Sequence, residues 1–129
     1  MKKLKKKIDV TIEKTDTGYS AYVDDKSIFT SALDISGIHS NILEALNLHY
    51  EELGYLLSEE NIRLHLDLQQ FFRYYKVINA NYLANRIGMN PTLLSQYVRG
   101  YKRPSAKQTN RIIQGIHKIG RELMDIELV

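Results

Sequence analysis

The apolar residues of this chain change period three times, and that alternation limits the folds open to it more than any other feature. In "KKIDVTIEK", Ile8, Val10 and Ile12 alternate with Asp9, Thr11 and Glu13, the period of two expected of a half-buried strand. "TDTG" (residues 15 to 18) supplies turn chemistry, with Gly18 expected to take a positive φ in a tight hairpin. "YSAYV" is the returning strand, and "SIFTSAL" (Ser27 to Leu33) a third after Asp24, Asp25 and Lys26. The period then becomes helical: Ile42, Leu43, Leu46, Tyr50 and Leu53 share a face, with Ser40 as the expected N-cap and Gly54 near the end. "NIRLHLDL" alternates again, placing Ile62, Leu64, Leu66 and Leu68 on one side of a fourth strand. Asp67 followed by Gln70 reads as a capping box that starts a helix from the strand's end.

From there to the end the pattern is helical, with segments at about 68–77, 80–87, 91–98 and 105–125. The stretch "LANRIGMNPTLLSQYVRG" carries the most specific local signals. A steep helix–turn–helix crossing needs a small residue where the helices meet and a residue tolerating positive φ in the turn. Ala84 and Gly88 fill those roles, and Leu83, Ile87, Leu94 and Tyr97 are placed for a shared core. Asn90 then Pro91 is a capping side chain followed by a proline whose missing N–H costs nothing at the first helical position. Gly100 closes the second helix.

Charge divides the chain in the same place. Residues 1 to 60 hold seven Lys and eleven acids, a balance of −4. Residues 61 to 129 hold eleven Lys or Arg and four acids, a balance of +7. No acid lies between Asp67 and Glu122, an interval with ten cations: Arg73, Lys76, Arg86, Arg99, Lys102, Arg103, Lys107, Arg111, Lys118 and Arg121. Such a run repels itself unless a polyanion or another part of the protein compensates it. With about six of these charges on phosphates, binding to duplex DNA would fall with salt at a log–log slope near −5.

Together these residues resemble the Cro/lambda-repressor, or XRE-like, helix-turn-helix family over roughly 68 to 123. The resemblance implies an all-α five-helix domain at 68–129 that binds double-stranded operator DNA. It assigns base reading to Asn90, Thr92, Leu93, Ser95, Gln96 and Arg99, and phosphate contact to Arg86, Lys102, Arg103 and Lys107. Gln96 suits adenine, Arg99 guanine or phosphate, and Thr92 a thymine methyl. Pro91 stands where the family often has a polar base-reading residue.

Residues 1–67 resemble HicB-type antitoxins, through the strand–turn–strand "VTIEKTDTGYSAYVDD" and the helix "SNILEALNLHYEEL". "DKSIFTSALDISG" replaces the Pro-Gly-rich segment common there. That resemblance implies a βββαβ, reduced ribonuclease-H-like unit that covers a small ribonuclease toxin, in a protein that represses its own operon. The acids of this half suit a basic partner. The alternative is a stand-alone repressor whose N-terminal half binds a small ligand or serves assembly.

Other chemistry finds little support. There is no cysteine, which removes disulfides, zinc knuckles and thiol catalysis. Asp9 and Asp67 lie on separate strands, but Asp9 alternates with core residues and Asp67 serves as a cap, so no two-metal nuclease site is expected. His39, His49, His65 and His117 lack ligand spacing, and no metal or cofactor is expected. The tyrosines of the basic half form no stripe for stacking unpaired bases. "MKKLKKK" is basic like the start of a signal peptide, but no apolar core follows. No apolar run spans a bilayer, so a cytoplasmic location is expected. Finally, Ile112, Ile116, Ile119, Leu123 and Ile126 recur at steps of four and three. The surplus apolar residues Leu123, Ile126, Leu128 and Val129 suggest a homodimer formed through the C-terminal region.

Overall fold

Strand β2 (Ile8–Lys14) turns Ile8, Val10 and Ile12 inward, all at most 7% exposed. In the computed structural model, which describes residues 1–23 and 27–128, this strand is an inner member of a four-stranded sheet. Its order is β4 (Phe29–Ala32), β3 (Tyr19–Val23), β2, β6 (Ile62–Leu66). The β2–β3 and β3–β4 pairs are antiparallel, and β6 joins β2 in parallel, Asp9 opposite Arg63 and Thr11 opposite His65. A parallel neighbour requires a crossover, which helix α1 (Ile35–Glu51) supplies. Its Ile38, Ile42 and Leu46 form one buried cluster with Ile8, Val10, Ile12, Ala21 and Leu57. The expected turn at Asp24–Lys26 lies outside the described residues.

Two local expectations fail here for physical reasons. Helix α1 starts at Ile35, with the Asp34 carboxylate accepting from Gly37 N at 2.6 Å. Ser40, the expected cap, lies inside the helix, because the buried stripe already begins at Ile38. Gly18 does not adopt a positive φ. It is needed because a Cβ there would lie 2.2 Å from the backbone oxygen of Ala32. Close approach of β4, rather than turn geometry, excludes a side chain.

The chain divides into two units, Met1–Asp67 and Leu68–Val129. The second contains α2 (Leu68–Tyr74), α3 (Ala80–Ile87), α4 (Pro91–Val98) and α5 (Ala106–Met124). Leu68, Phe72, Leu83, Ala84, Met89, Leu94, Tyr97 and Ile112 are its buried apolar residues.

This architecture overturns the expected βββαβ unit followed by an all-α five-helix domain. Among the described residues the chain is mixed α/β, with five α-helices in all and two small sheets. The second sheet pairs β1 (Lys2–Lys3) in parallel with β5 (Tyr55–Leu56). Half-buried Leu4 packs on the core cluster and donates its N–H to Leu56 O at 3.0 Å, which ties the lysine-rich start into the fold. One helix of the five, α1, belongs to the first unit, leaving four for the second. Its last 19-residue helix runs through Gly115 and Gly120 without a break, where a fifth helix would need a stop and a new cap.

Candidate nucleic-acid interface

Helix α3 begins at the Asn79 cap, whose side chain accepts from Tyr82 N at 3.1 Å. It ends at Gly88, which is left-handed at φ 68° and ψ 30°. Gly88 N–H turns back to the carbonyls of Ala84 and Asn85, and Met89 N–H reaches Ala84 O at 2.9 Å. This satisfies the last carbonyls of the helix in the manner of a Schellman turn. Asn90 restarts the chain as a helix by accepting from Thr92 N at 2.8 Å, with Pro91 at the first position of α4. The turn also holds because Ala84 and Leu94 are each 0% exposed and take part in the helical unit's core.

Helix α5 packs on this pair in two ways that local sequence patterns do not reveal. A Cβ on Gly115 would lie 2.3 Å from Ile87 Cγ2 and 3.4 Å from Leu83 Cδ1. The missing side chain lets the α5 backbone approach α3 closely, and Ile87 is left half-buried. Arg111 donates from Nη2 to Ile87 O at 2.7 Å and Gly88 O at 2.9 Å, capping α3 from another helix. Two of the ten cations of the acid-free interval are thereby explained without DNA. Arg111 holds the turn, and Arg86, expected on phosphate, pairs with Glu122.

Thr92 and Arg99, the latter at the C-cap, each lie three or four positions from the adjacent Ser95 and Gln96, so the four share one side of α4. Asn90, Thr92 and Arg99 are exposed, whereas Leu93, Ser95 and Gln96 are half-buried. Asn90 spends its Oδ1 on the cap, which leaves its amide NH2 as the donor it can offer a base. The Gln96 carbonyl accepts from Tyr101 N and Lys102 N as Gly100, at φ 79°, reverses the chain. Lys102, Arg103 and Lys107 are exposed on the loop and first turn of α5, and Arg103 has a contact of its own within the protein.

The first unit has a separate polar cluster. Asp9 accepts from Arg63 Nε and Nη2 at 2.9 and 3.1 Å and meets His65 Nε2 at 2.7 Å. The hydrogen bond with His65, then that with Arg63, holds the Asp9 carboxyl below the ordinary carboxylate value. Asp67 is tied elsewhere, its N–H on Ile12 O, three residues along β2 from Asp9 and thus about 10 Å away along the strand. Among the described residues no three His, Asp or Glu side chains converge to hold a metal.

A carboxyl depressed by folding contributes stability that is present above its unfolded value, roughly pH 4, and is lost as pH falls through the folded value. Replacing Asp9→Asn should therefore lower the urea midpoint at pH 7 and leave it nearly unchanged at pH 2. An equal loss at both pH values would show that the carboxylate's charge has no part in pairing β2 with β6.

Among the described residues no helix is long and apolar enough to cross a membrane. Comparison of the chain with family models, curated proteins and solved structures gives no match.

Proposed function

We propose that this chain is a cytoplasmic, antitoxin-like transcriptional regulator that binds duplex DNA through α3 and α4. The observation that carries this reading is the left-handed Gly88 between two independently capped helices. The second of those helices bears Thr92 and Gln96 on one side, with Arg99 at its C-cap and Lys102 and Lys107 following in the loop and first turn of α5. A helix of that size fits the major groove, where such side chains reach base edges, while lysines at the loop and helix start position the phosphates. The XRE-like resemblance of the same residues supports it.

The first unit binds a partner protein in this proposal, a small ribonuclease toxin as in the HicB-type antitoxins it resembles. Strand β4 ends the sheet, and of its outward backbone groups the Ser31 carbonyl accepts from the Asn41 side chain at 2.8 Å while those of Phe29 face the edge. Phe29, Leu33 and Ile35, at 66%, 81% and 46% exposure, stand around it. An edge flanked by apolar side chains suits addition of a partner's strand. Two copies of the chain would read two half-sites one helical turn, ~34 Å, apart. Leu123, Met124, Ile126 and Leu128 are all exposed and offer the contact; Val129, expected with them, lies outside the described residues.

Selection from a pool of random duplexes tests the DNA reading. The full chain should enrich a two-fold repeat, and recovery of unenriched sequence would refute base reading. Light scattering on the full chain and on one lacking residues 123–129 tests the dimer. A monomeric full chain, or a truncated dimer, would remove the C-terminal contact from the proposal. Affinity capture with the full chain, checked for a small basic protein that co-purifies, tests the partner, and recovery of none favours a stand-alone repressor.

A further inference from the structure

The −4 balance of the first sixty residues conceals a strongly basic groove. Five of residues 2 to 7 are lysines, and they are not a loose tail. Lys2 N–H bonds to Gly54 O at 3.1 Å and Leu4 N–H to Leu56 O at 3.0 Å. The Asn61 side chain donates to Leu4 O at 2.8 Å and Lys6 O at 3.1 Å, holding the segment from its other side, and Lys7 Nζ donates to Glu60 O. The fixed segment forms one wall of a groove of about 820 Å³. Lys2, Lys3, Lys5 and Lys6 line it together with Tyr50 and Tyr55.

None of these four lysines forms a salt bridge with another described residue. Four like charges beside one concavity, all exposed to water, set up a positive potential there that favours an anion. The aromatic lining narrows the choice. Lys6 Nζ already lies over the Tyr50 ring, 5.6 Å from its centroid, whereas Tyr55 is 37% exposed and can stack on a planar group. Lysines that follow a phosphodiester backbone, with a ring for the bases, are what unpaired nucleic acid requires. A duplex keeps its bases stacked away from such a ring. A bilayer surface does not enter a concavity, and an acidic peptide gains nothing specific from the ring.

We propose that this groove of the first unit binds single-stranded nucleic acid, with Lys2, Lys3, Lys5 and Lys6 on phosphates and Tyr55 stacked on a base. The site is distinct from the helix pair that binds duplex DNA and does not depend on it.

The test uses the full chain and fluorescein-labelled oligo(U) and oligo(dT) of equal length, read by anisotropy between 50 and 200 mM salt. Replacing Lys2, Lys3, Lys5 and Lys6 with Gln removes four phosphate contacts, and the salt slope should become shallower by about 3. Tyr55→Ala should weaken binding about tenfold, and Tyr55→Phe, which keeps the ring, should not. Oligo(dU) of the same length differs from oligo(U) only at the 2′-hydroxyl, and that pair reports whether the hydroxyl is read. A circular-dichroism melt like that of the unsubstituted chain shows that the lysine variant is folded. The proposal is overturned by absence of oligonucleotide binding at 50 mM salt. It is equally overturned by binding that ignores the four lysines but is lost in Lys102→Ala with Lys107→Ala. Lysine-dependent capture of phosphatidylserine vesicles or polyglutamate in place of the oligonucleotides assigns the groove to another partner and also overturns it.

Discussion

Raising the salt from 50 to 200 mM should weaken duplex binding by the full chain roughly 500-fold, a log–log slope of about −4.5 for about five phosphate contacts. The figure is lower than composition alone suggests, because Arg86 and Arg111 are occupied within the protein. Lys102→Ala with Lys107→Ala should remove about two units of slope on every duplex, specific or not, since phosphate contacts carry no sequence. Both side chains are exposed, so the change leaves the fold intact. Thr92→Ala or Gln96→Ala should instead relax preference at one base position, with little effect on the slope. Duplex affinity that ignores salt would leave the helix pair without a role in DNA binding.

Truncating Leu94→Ala should cost the helical unit about 2–5 kcal/mol, because the residue is 0% exposed and the surrounding core closes only in part over the void. For a domain of ordinary stability, about 5–15 kcal/mol, that is a large share. Urea titration should show a lower midpoint, and the amides of α3 to α5 should exchange faster. Duplex affinity should fall as well, although Leu94 points away from the exposed stripe, since α4 loses the residue that fixes its angle on α3. Thr92→Ala, on the exposed side, should change the unfolding free energy by no more than about 0.5 kcal/mol and so leave the midpoint almost unmoved. An unchanged midpoint for Leu94→Ala would contradict its place in the core.

What was legible in the sequence is what depends on neighbours a few residues apart. The alternation of Ile8, Val10 and Ile12 reflects burial on one sheet face, and the Asn90–Pro91 pair carries its own capping chemistry. Gly88 and Gly100 occupy positive-φ positions that their place after a helical stripe foretells. The rest depends on partners distant in the chain. Strands β1 and β5 have two residues each, too few to show a period, and their pairing joins positions more than fifty apart. Arg86 and Arg111 look like members of a basic run until Glu122 and the Ile87 and Gly88 carbonyls stand beside them. Gly115 reads as a weak point in a helix, whereas the space its side chain would fill is taken by Ile87 of α3. Gly18 was expected for a positive φ that it does not adopt, and the close approach of β4 that does require glycine there left no local signal. The five-helix expectation came from resemblance, and the uninterrupted 19-residue α5 is the residue-level fact that removes it.

The clamp from Arg111 to the turn has a consequence for anyone who would move this element into another scaffold. Residues 80–98 are not a portable cassette. The carbonyls that terminate α3 are satisfied by a guanidinium twenty-three and twenty-four positions downstream, and the surface of Ile87 is shaped to a glycine still further on. A graft that stops before α5 would carry the letters of the helix pair without the geometry they spell. Engineering, recombination or domain shuffling should therefore preserve the stretch from Asn79 to at least Gly115 as one inherited block.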